Sequence, residues 1–228
     1  MEGHMKTIKD LDELTRRTRR REFEDGLDDL QVGLIMLGVG ILGWYIFSGR
    51  GPRLLIQAWA AAREITALAM IGMIGLLVFL AFGSRRLINA VRTTTFWGER
   101  GFVRGLPWQV SRPVSLISVA IGLIMIVGRF WLYERGLLSE GTLLRTMVGS
   151  TGVSTGIVYL GMGLDLHLRR HVIVGIIGAL CSAAIIPADL SFALAWLALG
   201  MGWMVILAAS GLWAMRERLL SSEGRHGG

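Results

Sequence analysis

Cysteine is almost missing from this chain. The single one, Cys181, lies inside an apolar run, which excludes an internal disulfide and leaves the redox compartment unreadable. The expected place for it is that of a small core residue. Charge is scarce too. Only 18% of residues are charged, against roughly 25% in soluble domains. Proline is limited to four residues, which leaves room for long helices. A secretory signal is not expected. The first apolar run begins near Leu30, behind a highly charged segment, and no small-residue cleavage pattern follows it directly. There is no Walker motif, potassium-filter sequence, His ladder for haem, nucleophile elbow or HExxH, so the commonest signatures of nucleotide, haem and hydrolytic chemistry are absent.

Long apolar runs fill the rest. The chain is 53% hydrophobic, with a mean hydropathy of +0.55, and its charges cluster between those runs. This pattern predicts an all-α integral membrane protein. Six transmembrane helices are expected, at about 31–48, 62–83, 114–133, 143–166, 172–187 and 191–214. The opening MEGHM reads as a cloning scar over 1–5, with the natural start at Met5. The remaining division is an amphipathic charged helix over 6–30, the six-helix domain over 31–214 and a tail over 215–228. The stretch RLLIQAWAAAREI (53–65) is either the start of a long second span or a separate interfacial helix.

The net charge of +7 could suggest nucleic acid, but its placement gives a simpler account. Of 24 Lys+Arg, 18 fall on one side of the proposed spans, in the N-terminal segment, the 84–113 connection, the 167–171 turn and the tail. Basic residues concentrate on the cytoplasmic side of membrane proteins, so both termini are expected in the cytoplasm. Anionic lipid headgroups become the expected partners, and nucleic acid is not expected.

The N-terminal segment alternates Arg16–Arg17 and Arg19–Arg21 with Glu22, Glu24, Asp25, Asp28 and Asp29. Pairs such as Glu13/Arg17 and Arg21/Asp25 are four apart and can support one another on a helix. Glu22, Asp25 and Asp29 share a face, where ion pairing with the arginines competes with a divalent cation. Gly26 is expected to break the chain, leaving Asp28 and Asp29 at the positive end of the first span's dipole. The 84–113 connection sets Phe96, Trp97, Phe102 and Trp108 among arginines, as a segment at headgroup level would. Matches among VGLIMLGVG (32–40), IGLIMIVG (121–128) and VGIIGAL (174–180) allow three similar helical hairpins.

Inside the fourth span stands GSTGVSTG (149–156). On a helix, Gly149, Gly152, Gly156 and Gly163 fall on one arc, Ser150 and Ser154 on a second face, and Thr151 and Thr155 on a third. The glycine arc suits close helix packing. The hydroxyl faces either line a path for a solute or bond their own backbone. Ionisable residues within spans are functional candidates. Arg129 either snorkels to the interface or binds an anion. Asp165 either pairs with Arg169 or relays protons. Asp189, after Pro187, is expected to cap the sixth span. His167 and His171, four apart, are a weak candidate metal pair. No cofactor is expected.

The resulting expectation is a small-solute channel or transporter, a homo-oligomer, with a path beside the fourth helix. A structural or regulatory membrane subunit acting through its charged helix and the 84–113 segment is the alternative, with a protein partner. A lipid-modifying enzyme would have to rely on Asp165, His167 and His171, and non-enzymatic function is the expectation.

Overall fold

The computed structural model describes residues 20, 23–79, 83–91, 94 and 112–223. These residues form α-helices and no strands. The helices are α1 (Leu27–Phe47), α2 (Arg50–Ala61), α3 (Arg63–Val78), α4 (Ser84–Val91), α5 (Arg112–Glu134), α6 (Glu140–Asp165), α7 (Arg169–Ala184) and α8 (Phe192–Glu223). Four of them, α1, α5, α6 and α8, are long and apolar enough to cross a membrane. The two remaining proposed spans correspond to α3 and α7, which have 16 residues each. At 1.5 Å per residue each covers about 24 Å, less than the roughly 30 Å of a hydrocarbon core.

Local chemistry explains the ends. Gly26, at φ 75°, turns the chain into α1, a backbone conformation that costs a residue with a Cβ. The stretch 53–65 resolves into two helices, because Ala62 (φ −153°, ψ 72°) breaks α2 from α3. Ser139 caps α6 by accepting from the Thr142 N–H at 3.3 Å. At the other end of α6, His167 takes φ 55°, and the Leu168 N–H reaches back to the Gly163 carbonyl at 2.9 Å. This is a Schellman-type stop with histidine in the position glycine usually holds. The His167 ring adds its own contact, Nδ1 lying 2.9 Å from the Leu164 carbonyl oxygen.

The tightest packing joins α1 to α8 and α6 to α7, with α5 lying along α6. Helices approach this closely in lipid only where side chains are small. A Cβ on Gly40 would stand 2.7 Å from Gly200 Cα, across the α1–α8 seam. On α6, Gly149 abuts Ile186 and Ser182, Gly152 abuts Ser182 and Leu199, Gly156 abuts Gly175 and Ala179, and Gly163 abuts Val172. The core gathers Val148, Tyr159 and Leu166 from α6 and its end, Val174 from α7, and Leu199, Trp203 and Leu207 from α8. Outward faces stay apolar: Leu116, Ile124 and Val127 on α5, and Ile65, Leu68 and Ile71 on α3, are exposed.

The proposed helix over 6–30 lies outside the described residues up to Arg19 and at 21–22, and so do the pairs Glu13/Arg17 and Arg21/Asp25. The aromatic part of the 84–113 connection lies outside them too.

A buried ionic cluster as candidate functional site

The first turn of α7 carries Arg169, Arg170 and His171. Cationic groups there oppose the helix dipole, so a nearby anion is needed. Asp29, in the first turn of α1, supplies it. Its carboxylate is 3% exposed, and the side chain of His171 is fully buried. His171 Nε2 stands 3.3 Å from Asp29 Oδ1. Arg170 Nη2 stands 3.7 Å from Asp29 Oδ2. Ser210, on α8, donates to the same Oδ2 at 2.9 Å. One carboxylate thus binds α1 to α7 and α8. The His171 and Arg170 contacts are ion-pair approaches without hydrogen-bond alignment. Both ring nitrogens of His171 and both terminal nitrogens of Arg170 are buried without a hydrogen-bond partner.

Aromatic rings wall the cluster. Tyr159, on α6, stacks on His171 with centroids 5.8 Å apart and planes at 13°. Trp203, on α8, lies 5.7 Å beyond Tyr159. Its indole N–H donates to Ser182 Oγ at 3.1 Å, and that hydroxyl donates to the Gly178 carbonyl at 2.7 Å. Phe23 meets His171 edge-on, with ring centroids 6.0 Å apart. The turn holding Phe23 is fixed by its own neighbours. Asp25, fully buried, accepts from the Leu27 N–H at 3.0 Å. Glu24 pairs with Arg20 at 3.0 Å and with Arg218 of α8 at 3.7 Å.

The hydroxyls of 149–156 are all engaged with backbone. Ser150 and Thr151 both donate to the Met147 carbonyl, at 2.9 and 3.0 Å. Thr155 donates to Thr151 at 2.9 Å. Ser154 and Ser118 exchange bonds between α5 and α6, each hydroxyl donating to the other residue's carbonyl, at 3.2 and 3.0 Å. Their donors are therefore spent on holding helices rather than held out toward a solute.

The other sequence candidates scatter. Arg129 is half-buried on α5, and Asp165 is exposed at the end of α6. Asp165 and Arg169 form no ion pair among the described residues, which corrects that expectation. The helix stops at Asp165, so the four-residue register is lost. The same break separates the two histidines: His167 is exposed on the turn and His171 is buried among aromatics. No group of three or more His, Cys, Asp or Glu side chains suited to a metal gathers among the described residues. Asp189 does not cap α8; Ser191 does, accepting from the Leu194 N–H at 3.3 Å. Asp189 lies exposed, 3.6 Å from Arg145. Cys181 is exposed rather than a core residue.

Arg170, Ser210, Tyr159 and Trp203 were not singled out by sequence as a site, and Asp29 entered only as a dipole partner of the first span and as one of three acids on a candidate cation face. The available signal was the arginine and histidine that open an apolar run in LRRHV, which require an acid from elsewhere. No protein-family model, curated protein or solved structure matches the chain. The class is therefore defined by the fold alone, as helical with four helices fit to cross a membrane.

Proposed function

We propose that the chain is a six-span membrane protein with both termini in the cytoplasm, and that it moves a small solute past the Asp29–His171–Arg170 cluster at the inner end of α6. The observation that carries this reading is the complete burial of His171 against Asp29. Ionisable groups inside a membrane domain are costly and mark pathways or relays. For fastening helices alone, apolar packing would serve as well or better, since desolvation consumes most of what a buried ion pair gains. Six spans suit the chain because α2 and α3 together, and α7 with its following turn, add the length each short helix lacks. The asymmetry of Lys and Arg supports the orientation. The path runs beside the cytoplasmic half of α6 rather than along its Ser150, Thr151, Ser154 and Thr155 faces.

The test is uptake by proteoliposomes of a panel of radiolabelled small polyols, amino acids and carboxylates. Uptake above protein-free vesicles is expected for at least one of them. Asp29→Asn should lower it by tenfold or more, and Thr151→Val should leave it near the original rate. If every solute fails with folded protein, the carrier reading fails.

One arrangement favours a second reading, a regulatory subunit. The turn Phe23–Asp25 folds against the cluster and is latched to α8 by Glu24 and Arg218, so a partner holding the N-terminal segment would act directly on His171. Co-purification of one stoichiometric protein, lost on deleting residues 6–19, would support that reading.

A further inference from the structure

We infer that the Asp29–His171 pair is a proton-binding site, and that the proton is the ion linked to solute movement; this second clause rests on the carrier reading above. The argument begins with what surrounds one carboxylate. Asp29 meets three groups of different kinds: the fixed charge of Arg170 at 3.7 Å, the neutral hydroxyl of Ser210 at 2.9 Å, and the switchable charge of His171 at 3.3 Å. The switchable group is nearer than the fixed one. With a proton on the imidazole, His171 and Asp29 form a charged pair in a buried site, where Coulomb attraction is stronger than in water. Without it, Arg170 and Ser210 still attend the carboxylate. Neither state strands a bare buried charge, as a reversible site requires.

The other groups facing His171 keep this balance local. Asp28 shares the first turn of α1 with Asp29, and both act electrostatically, with Arg170, on Tyr159, the residue stacked on His171. Asp25 holds the N-terminus of α1. Glu24 and Arg218 pair with each other across to α8. His171 is the one group among these whose charge ordinarily changes near neutral pH.

Nε2 faces Asp29 Oδ1 at 3.3 Å, so the proton is held between the ring and the carboxylate. Both ring nitrogens are buried without an aligned hydrogen-bond partner, so loading and release require the site to open to water. The cluster gains one positive charge on loading and loses it on release, and no other bond forms or breaks. Phe23, in the N-terminal turn, meets the ring edge-on.

The experiment is nitrogen-15 NMR of histidine-labelled full-length chain in lipid nanodiscs, titrated from pH 5 to pH 9 with no solute present. His171→Gln assigns the His171 signals among four histidines. The expected result is a pH-dependent His171 signal whose midpoint moves to lower pH in Asp29→Asn, where the attracting charge is gone. In Ser210→Ala the midpoint should move to higher pH, because a carboxylate without its hydroxyl donor holds the shared proton more tightly. Ser210→Ala removes one hydroxyl and keeps the reading available if Asp29→Asn fails to fold. A His171 signal indifferent to pH, or one with the same midpoint in both variants, would overturn the proton site. Failed solute uptake beside a shifting His171 signal would sink the carrier reading and leave the proton site in place.

Discussion

Gly156 and Gly128 are the same residue in opposite surroundings. A Cβ at 156 would stand 2.7 Å from the Gly175 carbonyl oxygen, whereas a Cβ at 128 meets nothing within 4 Å. Backbone cannot swing aside, so α6 and α7 would have to separate along their seam. Overpacking of this kind costs about 1–3 kcal/mol. Gly156→Ala should therefore destabilise the protein by about 2 kcal/mol. Gly128→Ala, which only trades glycine for a better helix former, should be neutral or stabilising by up to about 1 kcal/mol. Steric-trap unfolding in bilayers measures both, and equal effects would show that the α6–α7 seam is not tightly held. The placement of small residues on the fourth span was legible in the sequence because 3.6-residue periodicity is a local property. The ionic cluster was not. Asp29 stood in view as a dipole partner for its own helix, and only tertiary packing brings it to a histidine 142 positions later.

At the scale of elements, α7 is a short helix of 16 residues, and it is held from outside itself. Arg145, on α6, donates from Nε to the Ile186 carbonyl at 3.3 Å and from Nη1 to Leu190 at 3.0 Å. Nη2 is tied to Thr142 Oγ1 at 3.2 Å. A guanidinium here meets the negative end of the α7 dipole and satisfies carbonyls of the turn that follows α7. Its planar fork spans two acceptors that an ammonium would reach only one at a time. Arg145→Ala should cost about 1–3 kcal/mol through the orphaned carbonyls, and Arg145→Lys should recover less than half of that. Thermal unfolding in detergent micelles measures the series, and a lysine variant as stable as the parent would show that charge rather than the fork matters. Sequence placed Arg145 only as an outer-side charge. Its function depends on the 185–191 turn folding back toward α6, and neither helix encodes that alone. His167 is a similar case. A left-handed turn at histidine carries no sequence mark, yet it ends α6 and so turns His171 away from the face that a continuous helix would have given it.

For the whole molecule, direction in the membrane decides what the cluster can do. α1 begins, α6 ends, α7 begins and α8 ends beside Asp29, His171, Tyr159 and Arg218, so these elements converge at one end of the bundle. The Arg145 turn and the α5–α6 turn lie at the other. In the proposed orientation, which rests on the charge asymmetry, the first end faces the cytoplasm and the proposed proton site lies on that side, next to the N-terminal turn. Single cysteines test this in a Cys181→Ala background. Leu137, exposed in the α5–α6 turn, should react as Leu137→Cys with a membrane-impermeant maleimide added to intact cells. Glu217, exposed near the end of α8, should react as Glu217→Cys only after the membrane is permeabilised. The reverse pattern would place His171 at the outer face, where the proton would be loaded from outside. Labelling of both from one side would break the argument for crossing spans between them, because the three helices α6, α7 and α8 separate the two positions and an odd number of crossings must leave them on opposite sides.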